Sequence, residues 1–192
     1  MFEEATEPVD RTKQRAKALS FLLEKVNEIG NPFLRKCCLD IVNSEEFQTC
    51  TASRKQHQAY EGGLLVHTAE TLEIALGIAA TRCLQIDVDI LTVATVYHDI
   101  GKIYDYVVKE DGSFEYTEHQ KLVRHLPRSY AIFMNNVEAN ISDELQTQIG
   151  HCILSHHGRF EWGTPVLPQT PEAYALHCAD WMSANCTEDH WE

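Results

Sequence analysis

The sequence predicts an all-α domain, a mainly helical bundle broken once by a small β-hairpin near residues 104–117. Three observations predict it. Apolar residues recur at three- and four-residue intervals through most of the chain. Helix start and stop signals separate these periodic segments. β-Prone residues gather in only one pair of runs.

Residues 1–8 are acidic and expected to fray. From Val9 to Ile29, Leu19, Leu22, Val26 and Ile29 form one stripe, and Gly30-Asn31-Pro32 stops the helix. A second helix is expected over Phe33–Asn43, whereas 44–60 is polar and yields no clear element. Gly62-Gly63 opens a long helix reaching about Arg82. Asp87 or Asp89 caps the next, which runs to Ile100 with Gly101 placed to end it. Tyr104–Val108 and Phe114–Thr117 flank Glu110-Asp111-Gly112, a hairpin turn. Helices resume over His119–Asn136 and over Ser142–His157, with Ser142 as cap and Leu145 and Ile149 in its apolar stripe. Pro165, Pro168 and Pro171 make 158–171 an extended loop, and Pro171-Glu172 starts a last helix through Cys186.

With 192 residues and neither repeat nor linker, the reading is one domain over 1–192. A net charge of −13 disfavours extended duplex binding, since phosphate backbones are repelled, but leaves room for a small phosphorylated ligand or a short strand end. The most apolar stretch, Ile86–Ile103, contains Asp87, Asp89, His98 and Asp99, which argues against a membrane span. Seven cysteines, an odd number without a CxxC pair or a preceding signal peptide, read as small buried hydrophobes in a reduced cytoplasmic compartment.

The chemistry lies in His67, His98-Asp99, His125, His156-His157 and Asp180, all in apolar surroundings. Burying imidazoles and carboxylates is costly without compensation, and a divalent cation supplies it. Several have a bland alternative: His67 as a hydrogen-bonded core residue, Asp180 as a cap or ion-pair partner, His156-His157 as complements to a helix dipole; His98-Asp99 is harder to dismiss. Their joint occurrence is what points to a metal.

Tyr60-Glu61-Gly62-Gly63-Leu64-Leu65-Val66-His67-Thr68 and Tyr97-His98-Asp99-Ile100-Gly101-Lys102 resemble the first and signature motifs of the HD-domain metal-dependent phosphohydrolases. Ser155-His156-His157-Gly158, Gly163-Thr164-Pro165-Val166, Thr170-Pro171-Glu172-Ala173 and His177-Cys178-Ala179-Asp180 resemble the subgroup of YhaM-type 3′–5′ exoribonucleases. The resemblance spans roughly His57–Cys186 and implies an HD-domain, PDEase-like bundle. It also implies that His67, His98, Asp99 and Asp180 hold one metal. His125, His156 and His157 would hold a second, bridged by Asp99; His119 and His151 are the alternatives nearby. Two features depart from the subgroup: there is no room for its N-terminal OB-like domain, and Arg124 precedes His125 where glycine is favoured.

Histidine-rich ligation favours one or two ions of Mn, Fe, Co, Ni or Zn over Mg. A bound ion would make water nucleophilic, with Asp99 and Lys102 as the catalytic pair. Lys102 stands three residues after Asp99, on the same helical face, and the resemblance implies a phosphate contact for it. Arg128 and Arg159 are further phosphate candidates, with surface ion pairs as the plainer role. Phe160, Trp162 and Tyr60 are candidates to stack a base. The expected function is hydrolysis of a phosphomonoester or phosphodiester bond in a nucleotide or short oligonucleotide. A YhaM-like exoribonuclease and a non-catalytic metal- or nucleotide-binding module are the alternatives. A structural zinc site lacks the necessary Cys-rich spacing.

Overall fold

In a computed structural model, residues 10–55, 58–81, 84–137 and 140–186 are described. The expected frayed segment 1–8 and His57 lie outside them, and the long helix opened by Gly62-Gly63 ends at Ala79, short of Arg82. The helices are α1 (Arg11–Glu28), α2 (Pro32–Val42), α3 (Glu45–Thr49), α4 (Gly63–Ala79), α5 (Val88–Tyr97), α6 (Glu118–Leu122), α7 (His125–Val137), α8 (Asp143–Ser155) and α9 (Pro171–Cys186). Short 3₁₀ helices occupy Ile100–Tyr104 and Phe160–Trp162. Strands β1 (Tyr106–Val108) and β2 (Phe114–Tyr116) pair antiparallel, with Tyr106 opposite Tyr116 and Val108 opposite Phe114.

Local chemistry accounts for the helix starts. Asp10, Asn31, Ser44, Asp87, Thr117 and Ser142 each accept a backbone N–H in the first turn of the following helix. The two central helices, α4 and α5, are apolar almost all round. Residues 63–72 of α4 and 90–97 of α5 are buried without a break, as expected of helices enclosed by others. α4 packs on α1 and α9, and α5 packs on α4, α2, α8 and α9. Leu22, Leu34, Leu64, Leu72, Leu91, Tyr97, Phe133 and Ile153 fill the space between them. Among the described residues, no helix is long and apolar enough to cross a membrane.

Several local expectations are corrected. α5 ends at Tyr97, not Ile100: Asp99 leaves the helical region at φ −113°, ψ 4°, and the chain continues as a 3₁₀ helix. Gly101 therefore lies inside that turn instead of ending a helix. Its glycine identity serves close packing, since a Cβ there would stand 2.4 Å from the carbonyl oxygen of His125. The single helix expected over His119–Asn136 is two, because Arg124 adopts a left-handed φ of +67° between α6 and α7. The polar stretch 44–60 holds α3, and the loop after α8 holds a 3₁₀ turn. Of the cysteines expected to be buried, Cys37, Cys38 and Cys152 are, Cys50 is half-buried, and Cys178 and Cys186 are exposed on α9; Cys83 lies outside the described residues.

The approach of the 3₁₀ turn to α7 gives a stability test. Gly101→Ala forces the His125 backbone away, and such overpacking costs about 1–3 kcal/mol. A fall in Tm of roughly 2–10 °C is expected in thermal unfolding for a chain of this size. An unchanged Tm would show that the turn does not dock as described.

Candidate metal centre

Four helix ends and the middle of a fifth helix converge on one buried point. His67 comes from the first turns of α4, His98 and Asp99 from the end of α5, and Asp180 from the middle of α9. His125 opens α7, and His156-His157 follow the last turn of α8. All seven sequence-predicted ligands are brought together, in two groups: His67, His98, Asp99 and Asp180, and His125, His156 and His157. Within each group, one donor atom per residue lies within 4.8 Å of the others.

Asp99 joins the groups. It is 2 % exposed. Its Oδ2 faces His67 Nε2 at 3.5 Å and His98 Nε2 at 3.4 Å. Its Oδ1 faces His125 Nε2 at 3.4 Å and His156 Nε2 at 3.6 Å. Asp180 Oδ1 lies 3.0 Å from His67 Nε2. On the other side, Lys102 Nζ meets Asp99 Oδ2 at 2.5 Å, because residues three apart eclipse in a 3₁₀ turn.

The outer nitrogen of every imidazole is already committed. Nδ1–H of His98, His156 and His157 donates to the carbonyls of Thr95 (2.6 Å), Ile153 (2.7 Å) and Trp162 (2.8 Å). His67 Nδ1–H donates to Ser183 Oγ at 2.9 Å, and Ser183 in turn donates to Glu70 Oε2 at 3.0 Å. His125 Nδ1 faces Asp105 Oδ2 at 3.4 Å. Outer hydrogen bonds of this kind fix the tautomer and aim Nε2 inward, the arrangement found around metal-ligating histidines. Nε2 of His98 and His156 and Oδ1 of Asp99 are buried without a hydrogen bond. Nε2 of His125 and His157 face each other at 3.1 Å, two lone pairs that a cation between them would satisfy. Orphaned buried acceptors and a mixed imidazole–carboxylate donor set both fit divalent transition ions.

Electrostatics agree. Burial lowers His125, His156 and His157, the last to about 4, so these imidazoles are neutral near pH 7. Burial opposes ionisation of Asp99 and Asp180; Lys102 and the surrounding imidazoles outweigh it at Asp99, and the imidazoles of His67, His156 and His98 outweigh it at Asp180, holding both carboxyls well below the usual range. Burial likewise opposes a charge on His67. The carboxylates of Asp180 and Asp99 override it and push His67 up to about 9.

The other candidates go elsewhere. Arg128 Nε donates to His119 Nε2 at 3.0 Å and lies over the Tyr104 ring, so it supports the centre from outside. His119 Nδ1 contacts Asp105 Oδ1 at 3.0 Å, which occupies both its nitrogens. His151 accepts from Gln169 N, away from the centre. Arg159 stacks on Trp162, Tyr60 contacts Arg11 and Gln14, and Phe160 is exposed. A cavity of about 300 Å³ opens onto Asp99, Lys102 and Asp180, walled by His157, Trp162, His177, Trp181 and Asn185. Asp105, Glu70, Ser183 and Trp181 went unpredicted. Glu70 and Ser183 stand three residues after His67 and Asp180 on the same helix faces, a signal that spacing carries; Asp105, at the end of a 3₁₀ turn, has no such periodicity.

Among known families, the HD-domain model matches residues 64–185, well over half of the chain. No solved structure matches it. The chain belongs to the HD-domain family, whose members are generally metal-dependent phosphohydrolases that bind divalent metals.

His67 supplies a pH test. Its imidazolium stabilises the metal-free fold fully below its ordinary value near 6.5, and that contribution is lost as pH rises through about 9. A metal requires the neutral ring, so binding must displace this proton. Calorimetric titration of Mn²⁺ at pH 7.5, in buffers of different ionisation enthalpy, should show about one proton released and affinity rising with pH towards 9. Buffer-independent heats would contradict the assignment.

Proposed function

We propose that this HD-domain chain hydrolyses a phosphomonoester or phosphodiester bond of a nucleotide or short oligonucleotide, using one or two divalent transition ions. The observation that carries the reading is the carboxylate of Asp99, each oxygen turned to a different donor group. His67, His98, Asp99 and Asp180 would hold the first ion, and His125, His156 and His157, with Asp99 shared, the second. Bound ions of this type act as Lewis acids and lower the pKa of water towards neutrality.

The chain's own groups do the rest. The ionised carboxylates of Asp99 and Asp180 and the neutral imidazoles of His125, His156 and His157 present lone pairs without further proton loss. Lys102 is buried at the cavity floor with its charge retained, since Asp99 outweighs the burial that would discharge it. It would be freed to meet a phosphoryl oxygen when cations take over Asp99. Trp162 and Trp181, each less than half exposed on the cavity wall, offer flat faces for a base. The acidic surface suits a small phosphorylated substrate over an extended duplex. A YhaM-like 3′–5′ exoribonuclease is the narrower form of the same reading, supported by the likeness of the motifs around His156-His157 and His177–Asp180.

Asp99→Ala removes the shared carboxylate. Turnover of bis(p-nitrophenyl) phosphate, cyclic nucleotides, nucleoside phosphates and short RNA should fall on the order of 10⁴-fold. Most bound metal, by elemental analysis, should be lost while the helical circular dichroism persists. Wild-type-like activity in this variant would exclude the shared carboxylate. A metal-replete wild type inactive on the whole panel would favour a binding module.

A further inference from the structure

A second, smaller cavity of about 160 Å³ lies beside the His125/His157 pair and shares the walls His157 and Trp162 with the larger one. Gln120, Arg124, His125 and Gly163 complete its polar and backbone lining, and no carboxylate lines it. In a chain of net charge −13, a wall with a guanidinium and no acid selects anions. The larger cavity differs, having Asp99 and Asp180 on its floor.

Arg124 is unusual in two ways. It holds a left-handed backbone at φ +67°, which glycine would adopt without strain. Its guanidinium lies against the backbone of Gly163, itself left-handed at φ +89°. Among the described residues the Arg124 side chain makes no ion pair or hydrogen bond; only its backbone N–H donates, to the carbonyl of His119. A strained arginine with an unused fork, at the rim of a donor cluster, is placed for a ligand's oxygens.

We propose that the smaller cavity binds a second phosphate of the substrate, next to the phosphate undergoing hydrolysis, and that Arg124 is its specificity-determining residue. This rests on the phosphohydrolase reading and deepens it. Substrates with two neighbouring phosphates, whether a nucleoside polyphosphate or an oligonucleotide end, fill both cavities; a monophosphate fills one.

The test is binding of inorganic phosphate and pyrophosphate to the Mn²⁺-loaded protein by calorimetry. Wild type should bind pyrophosphate at least about tenfold more tightly, the worth of one charge-assisted contact. Arg124→Gly relaxes the backbone and so preserves the fold; it should abolish that preference with metal content unchanged, while Arg124→Lys retains part of it. Competition against pyrophosphate by a nucleoside diphosphate and by a 5′-phosphorylated dinucleotide then identifies which source of the second phosphate is used. Equal wild-type affinity for both anions, or a preference that survives in Arg124→Gly, overturns the second site and leaves the phosphohydrolase reading standing. Binding of neither anion overturns both.

Discussion

The structure depends on one buried carboxylate. Asp99 sits at the end of the most enclosed helix in the domain, almost out of reach of solvent, with four imidazole nitrogens and one ammonium around it. An anion in such a place is tolerable only when positive charge surrounds it. Lys102 provides part of that charge, and the inward lone pairs of the histidines mark where the remainder belongs. The backbone leaves the helical region at Asp99 and passes into the 3₁₀ turn that carries Lys102.

The fold can be understood as scaffolding for this anion. α4 and α5 are buried on nearly every face, so the donors at their ends are held by packing on all sides. Backbone carbonyls of α5, α8 and the loop after α8 receive the outer N–H groups of three histidines, and side chains of Asp105 and Ser183 serve two others. Asp105 in turn contacts His119, which Arg128 caps. Ser183 is held by Glu70, which also accepts from Gln58 Nε2 at 2.6 Å. Two outer chains thus fix one histidine in each donor group: one ties the 3₁₀ turn, α6 and α7 together, and the other ties α4 to α9.

Much of this was legible in the chain. His98-Asp99 after an unbroken apolar run could not be a surface feature, and the spacing of Lys102 put its charge beside Asp99. What escaped was governed by local backbone that periodicity does not encode. The left-handed step at Arg124 splits a helix whose apolar pattern runs on across it. The 3₁₀ turn hides Asp105, which has no helical partner in sequence. Arg128 and Arg159, read as phosphate contacts or surface ion pairs, instead have aromatic or histidine neighbours close by in the fold. Arg124, read only as a departure from a favoured glycine, has a side chain without an ion pair or hydrogen bond among the described residues.

Anomalous diffraction from crystals grown with Mn²⁺ tests the central claim most directly. Two peaks are predicted, one on each side of the Asp99 carboxylate and about 3.5–4 Å apart, the first among His67, His98 and Asp180, the second among His125, His156 and His157. Density without a peak at this position, Asp99 still paired to Lys102, would contradict the account.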